Sequence, residues 1–123
     1  MDSPATSLVV KVTCGTESLE RLNQGFTVAA TALESGVDVS LWLTGDATLT
    51  MVAGRAEEVE LPYAVPLAEL RDALLEGARV TVCGQCAARR RLTVDDLLPG
   101  VTIRGAAAFV EEVVAPNART LVY

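Results

Sequence analysis

Runs of consecutive aliphatic and β-branched residues alternate along this chain with stretches whose apolar residues recur every three or four positions. Residues 8–13 form the first run, continuous enough for a strand buried on both faces. Cys14-Gly15-Thr16 breaks it, and Leu19, Leu22, Phe26, Ala29, Ala30 and Leu33 then fall at helical spacing. Thr16 or Ser18 is the expected cap, with Glu17 and Glu20 in the first turn and Ser35-Gly36 closing the helix. A second strand is predicted over residues 37–43, followed by a short helical piece over residues 47–53. Residues 54–65 show no period and read as a long loop, a candidate lid or subunit contact. Pro66 opens the next helix, with Leu67, Leu70 and Leu74 inward and Gly77 at its end. Residues 79–83 make a third strand that leads into a helix over residues 85–91. Thr93-Val94-Asp95-Asp96 resembles a capping box, and residues 101–104 form a fourth strand. Ala106, Phe109, Val110 and Val113 mark a last helix ended by Pro116-Asn117, and residues 119–123 a final strand.

This βαβαβαβαβ order predicts an α/β fold, a three-layer α/β/α sandwich on a five-stranded, mainly parallel sheet. Residues 1–123 read as one domain, without repeat or linker. Ligands are then expected at the carboxyl ends of the strands, where Cys14 ends the first and Cys83 the third. In the common order 2-1-3-4-5 those strands are neighbours and the cysteines flank the switch point. The strand order itself is left open.

Composition narrows the chemistry. Half the residues are apolar and aromatics are few, so the core is mostly Val, Leu and Ala, and further burial between subunits is expected. A net charge of −6 argues against nucleic acid as a partner. The absence of histidine excludes any histidine base, triad or ligand. No apolar run reaches the length of a membrane span, and residues 1–6 lack the pattern of a signal peptide, so a cytoplasmic protein is expected. Three cysteines in such a chain point to catalytic, redox or metal-binding use.

Cys83 stands where a strand hands over to a helix, with Gly84 permitting the turn. Unpaired N–H groups and the positive end of the helix dipole favour a thiolate there, and the thiolate is the reactive form. Cys86 falls in the first helical turn, within reach to resolve an oxidised or persulfidated Cys83, or else packs on the inner helix face. Cys14 either cooperates with Cys83 across the sheet edge or packs as a buried strand-end cysteine on the pocket floor. Gly15, Gly84 and Gln85 are the other candidate pocket residues. One of Arg89, Arg90 and Arg91 is available to attract an anionic donor or acidic partner; Arg89 is the candidate, against a solvated helix end as the default. Zinc is disfavoured, since one CxxC pair, one distant cysteine and no histidine do not make the usual four ligands. No nucleotide-binding glycine motif occurs and no cofactor is called for.

Val82-Cys83-Gly84-Gln85-Cys86-Ala87-Ala88-Arg89-Arg90-Arg91-Leu92, followed by Asp95-Asp96-Leu97-Leu98-Pro99-Gly100-Val101, resembles the signature region of the DsrE/DsrF-like family. The opening strand, the strand after Gly36 and Pro66-Leu67-Ala68-Glu69-Leu70 extend the likeness over nearly the whole chain. That family includes the sulfur-relay subunits of the Tus and Dsr systems. The resemblance implies an α/β/α sandwich assembled as a trimer or hexamer. It also implies a cysteine matching Cys83 that carries sulfur as a persulfide between donor and acceptor partners. The expected function is therefore a sulfur carrier or sulfurtransferase. Rivals are a thiol–disulfide redox protein or sensor using Cys83 and Cys86, and a binding or assembly module with incidental cysteines. One departure stands out: Arg91 occupies the place of the glycine expected to close the cysteine helix, so it is either left-handed or the helix runs one residue further.

Overall fold

The computed structural model describes residues 6–123, so most of the N-terminal stretch read for a leader lies outside the described residues. Five strands build one sheet: β1 (Ser7–Val12), β2 (Asp38–Leu43), β3 (Arg79–Cys83), β4 (Val101–Arg104) and β5 (Ala118–Val122). Their order is β4-β3-β2-β1-β5 and every pair is parallel. The helices are α1 (Leu19–Glu34), α2 (Leu67–Gly77), α3 (Gly84–Arg89) and α4 (Ala106–Val113).

Right-handed crossovers explain the layers. The steps β1 to β2, β2 to β3 and β3 to β4 all move the same way across the sheet, which puts α1, α2 and α3 on one face. The return from β4 to β5 runs the other way and puts α4 on the opposite face. The strand order, which the sequence leaves open, is thus not the common 2-1-3-4-5: β2 lies between β1 and β3, and the strands bearing the two candidate thiols are not neighbours.

Strand alternation divides the core unequally. Val10, Val12, Val39, Leu41, Leu43, Val80 and Val82 meet Leu22, Phe26, Leu70 and Leu74 in the main core. Each such side chain, fully buried, contributes about 1.5–3 kcal/mol. The residues between them, Lys11, Ser40, Trp42 and Thr81, face the α4 side. There the Trp42 and Phe109 rings pack edge to face with centroids 5.3 Å apart, and Trp42 Nε1 donates to Glu112 at 3.1 Å. No α4 side chain is fully buried.

Local differences from the expected elements have simple causes. The caps foreseen at Thr16 and Ser18 make no side-chain bond, because a 3-10 turn over Thr16–Ser18 precedes α1. The helical piece after β2 is a 3-10 segment, Gly45–Met51. Within the long loop, Ala56–Glu58 forms a further turn, fastened by a two-pronged bond from Arg71 of α2 to Glu57. The predicted capping box forms, with Thr93 N–H donating to Asp96 at 2.8 Å. Among the described residues no helix is long and apolar enough to cross a membrane.

Candidate functional site

Cys83 is the last residue of β3 and the N-cap of α3, with φ −62° and ψ 126°. Its extended backbone ends the strand while the backbone N–H groups of Gln85 and Cys86 turn back toward its sulfur. Burial alone pushes the Cys83 thiol up. The Cys86 N–H, the Cys86 thiol, the Gln85 N–H and the Lys11 ammonium act against it, and together they bring the pKa below the ordinary thiol value. The thiolate expected from the sequence thus has a local electrostatic basis.

Cys83 opens into a cavity of about 140 Å³ on the α4 side, lined also by Lys11, Trp42, Thr44, Gln85, Gly105, Ala106 and Phe109. Strand ends of β1 to β3 form its floor, and the start of α4 its wall. This is the carboxyl edge of the sheet, the place where α/β folds hold ligands. The Lys11 ammonium lies over the Phe109 ring, 4.8 Å from its centroid.

Cys86 is buried beside Cys83, close enough for their side chains to interact. The Gly45 N–H donates to its sulfur at 3.2 Å. That contact depends on Gly45: its φ is +54°, and a Cβ there would sit 2.7 Å from the Thr13 carbonyl oxygen. Arg90 holds the same corner from outside. Its guanidinium donates to Asp46 at 2.7 Å and to the Cys86 carbonyl at 3.0 Å, fixing α3 to the turn after β2.

Several predicted residues sit elsewhere. Cys14 follows Val10 and Val12 in alternation, so it faces α1, on the opposite side of the sheet from the cavity. It packs in the main core and donates weakly to the Ser18 carbonyl at 3.9 Å. Burial, then Glu17, raises its pKa, so it stays a protonated thiol. Its proposed place in the pocket is therefore corrected, and the three thiols do not converge. Gly15 does not line the cavity either; a Cβ on it would meet Asp46 Cβ at 2.6 Å, so it serves close packing of two loops. Arg89 is exposed at the end of α3 and lines no part of the cavity, while its neighbour Arg90 carries the contacts. Gln85 does line it, and Gly84 adjoins Cys83 with ordinary space for a Cβ.

Lys11, Trp42, Thr44 and Phe109 were not foreseen. Lys11 had a signal: it is a lone charge inside a run otherwise suited to burial on both faces. Trp42 and Phe109 carried no such signal, because nothing local says that two aromatics far apart in sequence will wall one cavity.

Comparison with known proteins places these features in a wider set. The model of the DsrE/DsrF-like family matches residues 7–115. An uncharacterized protein of Methanocaldococcus jannaschii, MJ0760, is 30% identical over 108 residues, covering 87% of this chain and 39% of that protein. A second from the same organism, MJ0989, is 34% identical over 98 residues, covering 76% of this chain and 82% of that protein. The chain thus spans well under half of the first relative and most of the second. Among solved structures, the ychN protein of E. coli superposes with a TM-score of 0.79 at 18% identity, over 96% of this chain and 99% of that one. Protein MTH1491 of Methanobacterium thermoautotrophicum, of unknown function, gives 0.64 at 13% identity, over 98% and 100%. These two likenesses speak for the fold.

Proposed function

Because the chain belongs to the DsrE/DsrF-like family, we propose that it carries sulfane sulfur as a persulfide on Cys83. The observation that carries this reading is a thiol whose pKa is lowered by surrounding donors and which opens into a cavity at the carboxyl edge of the sheet. The Cys83 thiolate attacks the outer sulfur of a donor persulfide or polysulfide. A new S–S bond forms at Sγ, the donor's S–S bond breaks, and its electron pair leaves with the donor as a thiolate or shortened polysulfide. Delivery is the same exchange with an acceptor thiolate attacking the outer sulfur and Cys83 leaving as thiolate. Cys86 stands ready to attack Sγ of a persulfide that finds no acceptor. That step forms a Cys83–Cys86 disulfide and releases hydrosulfide.

Donor and acceptor are other proteins or small sulfur compounds, in the cytoplasm, where thiols stay reduced. The protein acts as an oligomer of its own chain. Exposed Val110 on α4, Val114 just after it, and Leu121 and Val122 on the β5 edge support this. The adjacency of Cys83 and Cys86 also favours a second reading, a reversible dithiol–disulfide couple without sulfur transfer.

Intact-mass measurement after incubation with polysulfide tests the first reading on wild type, Cys83→Ser and Cys86→Ser. The expected result is one added sulfur in Cys86→Ser, none in Cys83→Ser, and in wild type one added sulfur that gives way to the loss of two hydrogens as Cys86 attacks. A wild type that loses two hydrogens while Cys86→Ser gains no sulfur favours the dithiol couple instead. Loss of loading in Cys86→Ser with Cys83 intact overturns the division of labour between the two thiols.

A further inference from the structure

Lys11 is the one cationic side chain lining the Cys83 cavity, and no carboxylate lines it among the described residues. Its ammonium takes part in none of the ion pairs of the described residues. Glu112 beside the aromatic wall accepts from Trp42 Nε1 with one oxygen and faces Arg104 at 3.6 Å with the other, outside the cavity lining. A cation kept in a partly buried place without a carboxylate is costly unless something else meets it. The Phe109 face supplies part of that at 4.8 Å and holds the ammonium in place.

The resting thiolate is not the missing partner. β2 separates β1 from β3, so the backbones of Lys11 and Cys83 stand two strand spacings apart, roughly 10 Å, on either side of the cavity floor. Of the influences favouring the Cys83 thiolate, Lys11 is the smallest. The cavity above them is about 140 Å³. That is room for about four or five water-sized groups, enough for a small ion and too little for a folded partner's side-chain cluster.

We propose that Lys11 makes this cavity selective for small sulfur-bearing anions, its ammonium meeting the ligand's negative end while Cys83 meets its sulfur. The sulfur in this statement rests on the carrier reading above; the selectivity for negative charge does not. Lys11 is thus a binding residue at the β1 end of the cavity floor, with Trp42 and Phe109 beside it in the lining.

Two alkylating probes of nearly equal size separate charge from reactivity: iodoacetate, an anion, and iodoacetamide, which is neutral. Both form the same carbon–sulfur bond at the same thiolate with loss of iodide, so the ratio of their rates cancels the thiolate fraction. Rates are read at Cys83 by peptide mass on wild type, Lys11→Met and Lys11→Arg. The iodoacetate-to-iodoacetamide ratio is expected to fall about tenfold in Lys11→Met and to stay near wild type in Lys11→Arg. In wild type it should also fall as salt rises, which needs no variant to fold. An equal ratio in wild type and Lys11→Met, or no salt dependence in wild type, overturns the proposal. The two readings fail separately. A wild type that gains no sulfur but keeps the Lys11-dependent ratio loses the carrier function and retains the anion site. One that gains sulfur with a ratio indifferent to Lys11 does the reverse.

Discussion

Arg91 closes α3 with a φ of 55°, a conformation that costs an L-residue about 1–2 kcal/mol. The hydrogen bonds around it explain why the chain accepts this: Arg91 N–H donates to the Ala88 carbonyl at 3.0 Å and Leu92 N–H to the Ala87 carbonyl at 2.9 Å. Those bonds end the helix in time for Arg90 to reach Asp46. Replacing Arg91 by glycine removes the strain but adds freedom to the unfolded chain, so the net gain is about 0.5–1 kcal/mol. Thermal unfolding of Arg91→Gly is expected about 2–4 °C above wild type; an unchanged or lower midpoint would show that the arginine is relaxed there. The left-handed alternative was legible from the missing glycine alone. So was the place of Cys83 between β3 and α3, because strand, turn and helix signals all meet at that residue. Cys14 was misplaced for want of one further step: alternation from Val10 and Val12 already assigns it to the helix α1 face.

At the scale of elements, the loop between β2 and α2 shows how a stretch without period becomes ordered. Ala47, Met51 and Ala56 bury in the main core with Val52 and Val59 packed against it, and the Arg71–Glu57 pair, with contacts of 2.6 and 2.9 Å, fastens the turn over Ala56–Glu58 to α2. Nothing in the sequence joins a buried arginine in a helix to a glutamate fourteen positions earlier, so the order of this loop was not legible. The Arg71 side-chain bond, foremost, brings the Glu57 carboxyl down from 4.5 to about 2. The folded pKa lies below the unfolded one, so the pair's contribution is fully present above the unfolded value of about 4.5. It fades as pH falls from there toward about 2. Glu57 is solvent-exposed, so the effect is local rather than a large share of global stability. Amide exchange over residues 54–60 is expected to accelerate, relative to the rest of the chain, as wild type is taken below pH 4.5. In Glu57→Gln the same amides should exchange fast at neutral pH and show no such step. A step that survives the substitution would place its origin in another carboxylate.

For the whole molecule, the two faces of the sheet are unequal, and strand order is the reason. Three crossovers in one direction give the first face α1, α2 and α3; a single return gives the second face only α4, eight residues long. The alternation of strand and helix made the sandwich legible, but each segment's pattern is silent about which strand lies beside which. Order is set by the direction of each crossover. A helix this short is marginal on its own, and packing must hold it. Yet it buries no side chain completely, while Val114 is 72% exposed and Val122 on the adjoining open strand 61%. An apolar helix beside an unpaired strand edge is a surface that water does not favour and that another chain can cover. If a second copy covers it, a charge placed at its centre should break the assembly and leave the main core on the other face intact. Val110→Lys with Val114→Lys is therefore expected to sediment as a monomer at concentrations where wild type sediments as an oligomer. Its circular dichroism should be unchanged. A wild type that is already monomeric at high micromolar concentration would refute self-association, and the exposed face would then belong to a different partner.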